Sequence, residues 1–246
     1  MNLDFSDDQK FLQNEARKFL EKEESIKRSR EILDQSSSLD TDLWQKIVAL
    51  GWTGIRIPEN FDGLGLGHLE LCVIAEELGR FLAPVPFSSS VYLFTEAVIK
   101  YGSEELKKDI LPKLVSGEIV GTLAVTEDFM APSSSNIKTE VLNNKITGKK
   151  IAVPDAGIAT HSIIVCKSSN GIDLRLIDHK DKSLNILKQD TVDGSRGHFC
   201  IELKNTPSIL VGDEGNGWDL YESIINQAAV LFSFEQVGGS QATLDM

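Results

Sequence analysis

The chain has 246 residues, 41% of them apolar and 25% charged, with a formal net charge of −12 at pH 7. That length is enough to bury a large core and to divide into two or more units. The acidic balance argues against a general binder of nucleic acid or of anionic membranes, since both need a basic surface. Cys72, Cys166 and Cys200 lie far apart with no paired spacing, so neither a disulfide framework nor a zinc site is expected. Each reads as a small buried apolar residue. Met1 to Phe5 has no basic region and no long apolar run, so no signal peptide is expected, and no apolar stretch is long enough to span a bilayer. The expected compartment is reducing and cytoplasmic.

Ser6 followed by Asp7 and Asp8 reads as an N-cap with an acidic first turn. Phe11, Leu12, Ala16, Phe19 and Leu20 then recur at helical spacing. Ser36 to Ser38 is a polar break. Leu43, Trp44, Ile47, Val48 and Leu50 predict a short helix stopped by Gly51. Ile55 to Gly67 reads as a loop whose Gly63, Gly65 and Gly67 do not match the dinucleotide fingerprint. They are expected to supply positive-φ turn positions. Leu71, Cys72, Ile74, Ala75 and Leu78 predict a helix over 69–81, ended by Pro84-Val85-Pro86. Val91 to Tyr101 predicts another, and Ser103-Glu104-Glu105 opens a further one through Ile110, Leu111, Leu114 and Val115. Residues 1–120 therefore read as a helical domain.

The pattern then changes. Leu123 to Val125 is a short apolar run ending on Thr126 and Glu127; periodicity alone makes it a buried strand or one turn of a buried helix. The Ser-rich loop from Asp128 to Asn136 favours a strand leaving a domain boundary. A hydroxyl and backbone amides at such a strand mouth suit a planar, hydrogen-bonding ligand. On residue types alone, a plain strand end with a solvated Thr126-Glu127 pair is the stronger reading. Lys145 to Ile151 has β-branched residues around a turn, His161 to Cys166 reads as a buried strand, and Leu174 to Ile177 answers it across Ser168 to Gly171. Phe199 to Leu203 adds another. Strands this short and this spaced predict a small β-barrel or sandwich over 121–213. From Trp218 a helical period returns through Leu220, Ile224, Ile225, Ala228, Leu231 and Phe232. The fold class is α+β.

The residue types alone do not define a reaction. His68, His161, His179 and His198 are scattered and read as structural. Lys107, Lys108 and Lys113, like Lys145, Lys149 and Lys150, read as solvated faces that could meet a phosphate.

Several strings in order resemble the acyl-CoA dehydrogenase family over the whole chain, which corresponds to the front part of a family member. They are Leu3 to Gln9, Pro58 to Gly65, Ala75 to Gly79, Ile110 to Gly117, Ala124 to Glu127, Gly212 to Gly217 and Glu235 to Ala242. The resemblance implies a middle β domain against FAD and residues 214–246 as the first helix of a C-terminal helical bundle. It implies α,β-dehydrogenation of an acyl-CoA substrate, an electron-accepting flavoprotein as partner, and a homo- or hetero-oligomer. By position, Leu123, Val125 and Thr126 fall on the first flavin segment, Val125 and Thr126 meeting the pyrimidine edge. Ala152, Val153 and Pro154 fall on the second, where many members have Trp-Ile-Thr or Trp-Ile-Ser. Pro132 and Ser133 fall near the serine expected at the CoA phosphates, and Asn226 and Ala229 fall on a substrate-contacting Asp and Arg. The family's catalytic carboxylate and its Arg-x-x-Phe-Gly motif correspond to positions beyond Met246, so no catalytic residue is assigned. The expectation is a flavoprotein dehydrogenase that is inactive as these 246 residues alone; the alternative is a non-catalytic, structural partner subunit. The apolar stripe of the final helix is expected to join another chain, pack back on the β domain, or drive aggregation.

Overall fold

The computed structural model describes residues 4–35 and 40–246. The polar break at Ser36 to Ser38 lies outside them. The first part of the chain holds α1 (Asp7–Lys22), α2 (Ser25–Gln35), α3 (Thr41–Ala49) and α4 (His68–Arg80). A π-helical segment (Ser88–Thr95) then runs into α5 (Glu96–Tyr101), and α6 (Glu104–Val115) follows. Ser6 caps α1 as its sequence predicts: its hydroxyl accepts from Gln9 N–H, and the Gln9 side chain accepts from Ser6 N–H. Asp40 and Ser103 cap α3 and α6 through Leu43 and Leu106 N–H. α2 was not readable from the apolar spacing, because only Ile26, Ile32 and Leu33 punctuate a polar run. Of the three glycines in the Ile55–Gly67 loop only Gly65 has positive φ (+61°), while Asp62 takes a second left-handed position. Gly63 serves a close approach instead, since a Cβ there would lie 2.0 Å from the Ile57 carbonyl oxygen.

Eight strands form one sheet: β1 (Gly121–Ala124), β2 (Glu140–Leu142), β3 (Lys145–Pro154), β4 (His161–Ser168), β5 (Gly171–Asp178), β6 (Leu184–Gln189), β7 (His198–Pro207) and β8 (Ile209–Val211). The order is β6-β7-β3-β2-β4-β5-β8, and β1 runs parallel to β4. The turn expected within Lys145–Ile151 is not at Gly148, which pairs with Leu203 inside β3. It falls at Asn143 and Asn144, whose φ values of +50° and +58° make the primed hairpin turn that joins β2 to β3. The uninterrupted apolar run of β4 has a physical reason. Ile163 and Val165 pack towards the helices, while Ile164 and Cys166 join a second core with Ile146, Val153, Phe199 and Ile201. A strand buried on both faces loses its alternation.

The last element, α7 (Gly217–Asp245), packs back on the chain, against α4 and then β5. Ile224, Ala228 and Leu231 are buried in the same core as α4. Phe232 meets the Tyr92 ring edge-on at 5.7 Å. The partner helix for the apolar stripe is thus α4 of this chain. Two glycines permit the contact: a Cβ on Gly79 would lie 2.0 Å from the Glu235 carbonyl, and one on Gly238 1.9 Å from that of Glu76.

Candidate cofactor site

β1 ends at Ala124, and the chain leaves the sheet through Val125, Thr126 and Glu127. Beside it, β3 carries a bulge: Lys150 pairs with Ile201 and Val153 with Phe199, so Ile151 and Ala152 oppose the single residue Cys200. Ala152 takes φ +51°, and its N–H donates to Gln189 Oε1 at 2.7 Å. A left-handed alanine is strained unless its surroundings fix it, and the glutamine does so. The two segments are joined where Ile151 N–H donates to the Thr126 carbonyl (2.8 Å) and where the Thr122 hydroxyl donates to the Pro154 carbonyl (2.7 Å). Pro154, which has no N–H to give a ladder, is the last residue of β3.

Between them lies a cavity of about 160 Å³ lined by Leu93, Leu123, Ala124, Val125, Thr126, Ile151, Ala152, Val153, Pro154, Tyr221 and Ile225. All six residues expected at the flavin segments are in this lining. Leu93 comes from the π-helical segment, and Tyr221 and Ile225 come from α7; the sequence pattern contained no signal for these three. The walls are apolar and contain no carboxylate. The Val125 carbonyl accepts from Lys150 and the Thr126 carbonyl from Ile151. The Thr126 hydroxyl has no hydrogen-bond partner among the described residues. It is the side-chain group the segment has left to offer a ligand.

Glu127 is not a solvated strand end. Its carboxylate accepts from Lys150 Nζ (2.7 Å), from Lys138 N–H (2.6 Å) and from Thr139 N–H (2.9 Å). The Lys150 side chain is fully buried and that of Glu127 is 8% exposed. Burial pushes the Glu127 carboxyl up, but the bonds from Lys150 and Thr139 outweigh it and hold the group below its ordinary range. Burial pulls the Lys150 ammonium down, against the pull of Glu127. The reading of Lys150 as part of a solvated face is therefore corrected. Period-two alternation along β3 was the available signal, since it sets Lys150 on the face of buried Ile146.

Pro132 and Ser133 do not reach this cavity. Ser133 N–H donates to Asn136 Oδ1 (2.8 Å) and its hydroxyl lies 3.0 Å from that of Ser135, closing a local turn. The next two serines, Ser134 and Ser135, border a separate hollow of about 450 Å³ with Ile137, Lys167, Trp218 and Asp219. Asn226 and Ala229 lie exposed on α7. The three cysteines are free and buried, and burial pushes the Cys166 thiol up to about 12. No helix among the described residues is long and apolar enough to cross a membrane.

Residues 6–118 match the family model for the acyl-CoA dehydrogenase N-terminal domain. The chain is 28% identical over 260 residues to isovaleryl-CoA dehydrogenase of Pongo abelii, covering 98% of this chain and 61% of that enzyme. It is 25% identical over 263 residues to acryloyl-CoA reductase (NADH) of Anaerotignum propionicum, covering 100% of this chain and 66% of that one. Among solved structures, an FAD complex of PigA shares the fold with a TM-score of 0.88 at 22% identity, covering all of this chain and 68% of that one. The chain thus spans less than two thirds of the length of these curated relatives.

Proposed function

Because the chain belongs to the acyl-CoA dehydrogenase family, we propose that it is the cofactor-binding portion of an FAD-dependent flavoprotein that dehydrogenates an acyl-CoA thioester between its α and β carbons. The observation that carries this reading is the single cavity gathering Leu123, Val125, Thr126, Ala152, Val153 and Pro154 from two separate segments. An apolar slot edged by a hydroxyl and backbone amides fits a flat ring with one hydrogen-bonding side. The Thr126 hydroxyl would hold the polar edge. Leu93, Val153 and Pro154 would pack against the ring, and Tyr221 and Ile225 would close the slot from α7. Bound FAD supplies the hydride acceptor. Nothing in this lining takes a proton, so these residues bind and orient.

Residues 1–120, 121–213 and 214–246 are read as the helical domain, the β domain and the first helix of a C-terminal bundle. An electron-accepting flavoprotein as partner, an oligomeric assembly, acyl-CoA contact through the Pro132–Ser133 turn, and a reducing, cytoplasmic setting that suits three free buried thiols complete the proposal.

A second reading, a structural partner subunit that does not itself turn over substrate, draws on specific residues. Ala152 offers no aromatic packing surface, and Asn226 and Ala229 stand where the family's substrate-contacting Asp and Arg fall. Titration with FAD of the protein extended through the rest of the proposed C-terminal bundle, followed by visible absorption and flavin fluorescence, separates the two. Saturable binding with a perturbed flavin band, followed by bleaching on addition of acyl-CoA, is the result expected for the enzyme. Flavin binding without bleaching favours the partner subunit. No flavin binding at all defeats the cofactor assignment.

A further inference from the structure

We propose that the buried Lys150–Glu127 pair is the positioning element that fixes the spacing of the two segments walling the candidate cofactor cavity. The proposal rests on the reading of that cavity as a flavin site. Glu127 directly follows Thr126 and Lys150 directly precedes Ile151, so the pair sits immediately beside both segments. Lys150 Nζ reaches past Glu127 to the Val125 carbonyl at 3.0 Å and ties the first segment to β3. Glu127 in turn accepts the N–H groups of Lys138 and Thr139, anchoring the far end of the Ser-rich loop. Two further bonds tie the walls: Ile151 N–H to the Thr126 carbonyl, one residue from the pair, and the Thr122 hydroxyl to the Pro154 carbonyl at the other end of the segments.

A fully buried ammonium is a poor stabiliser. Two charges taken out of water lose hydration that their attraction repays only with good geometry, and apolar replacements of such pairs are often neutral or stabilising. A role in stability alone would therefore be as well served by two apolar side chains. An apolar pair cannot hold the Val125 carbonyl or the two loop amides in place. The arrangement fits a requirement for position: with Val125 C=O turned to Lys150, the Thr126 hydroxyl is the group left without a partner. The bulge at Ile151 and Ala152 adds a second reason for a tie here, because a bulged strand has lost its ladder locally.

The test uses Glu127→Gln and the double variant Lys150→Met/Glu127→Leu in the full chain. Two readouts are taken: exchange of the Ile151 amide without cofactor, and FAD affinity with the visible flavin band. Loss of a bond to a charged group corresponds to tenfold or more in affinity. We expect both variants to keep the wild-type circular dichroism, to lose Ile151 amide protection, and to bind FAD at least tenfold more weakly with the band moved towards free flavin. If Glu127→Gln, which leaves the buried ammonium without its counter-charge, fails to fold, the double variant alone carries the comparison. Unchanged Ile151 protection and unchanged FAD affinity in a folded variant overturn the proposal. If the wild-type protein binds no FAD, the cofactor reading falls; the amide exchange then shows by itself whether the pair sets the segment geometry.

Discussion

Thr126 is the residue at which the cofactor assignment is most exposed to test, since its hydroxyl is the unpartnered side-chain group on the two flavin segments that line the cavity. Thr126→Ala is expected to weaken FAD binding by about 1 kcal/mol, or about fivefold, with the fold unchanged. Isothermal titration against wild type measures it, and an equal affinity would remove Thr126 from the site. His179 gives a second prediction at this scale. Burial pulls its imidazole from 6.5 down to about 4, and its Nε2 lies 2.6 Å from the Ser162 hydroxyl. The unfolded chain takes up this proton at the higher pH and the folded chain resists it, so the stability it contributes is present above pH 6.5. It is lost progressively as pH falls towards 4, by about 3 kcal/mol in all. Urea midpoints from pH 7 to 4.5 should fall less steeply in His179→Gln than in wild type; parallel slopes would exclude this linkage.

At the scale of elements, the crossing of α4 and α7 decides the sign of a glycine substitution. On an exposed helix Gly→Ala stabilises by about 1 kcal/mol. At Gly238 a Cβ would meet the Glu76 carbonyl, a backbone atom that cannot swing aside. Gly238→Ala is therefore expected to destabilise by about 1–3 kcal/mol, the range for overpacking, measured as a lower urea midpoint at constant slope. The elements also show how far sequence reaches. Caps at Ser6 and Ser103, the apolar period of α4 and the strand at His161–Cys166 were legible because each is a local signal. The strand reading of Leu123 to Val125 came from the Ser-rich loop after it, since a three-residue run has no period, and its meeting with Ala152 to Pro154 at one cavity was expected only from the resemblance. β6 was missed because its alternation of Leu184, Asn185 and Ile186 is broken at once by the exposed Leu187, and β2 and β8 because three residues are too few to read. The solvated reading of Glu127 failed because its partner Lys150 is distant in sequence, and that of Lys150 because the alternation of β3 reads in sequence as β-branched residues around a turn. Leu93, Tyr221 and Ile225 reach the cavity only through tertiary packing.

For the whole molecule, the lining of the cavity governs what the chain does by itself. It holds apolar groups, amides and the hydroxyls of Thr126 and Tyr221, and no carboxylate, so a substrate α-proton would have no carboxylate acceptor there. We expect no turnover of a panel of acyl-CoA substrates by these 246 residues with added FAD and an artificial electron acceptor. Measurable reduction of the acceptor would mean that a residue assigned here to structure serves as the base. The assembly of the molecule also has an order imposed by α7. The face of α4 that α7 covers ends at Arg80, and the helix that covers it is complete only at Asp245. At a synthesis rate of about 5–20 residues per second, that face waits roughly ten to thirty seconds on the ribosome before its cover exists. The whole β sheet is made in the interval, so the first layer to be translated is among the last to close, and a nascent-chain chaperone has that long to hold it.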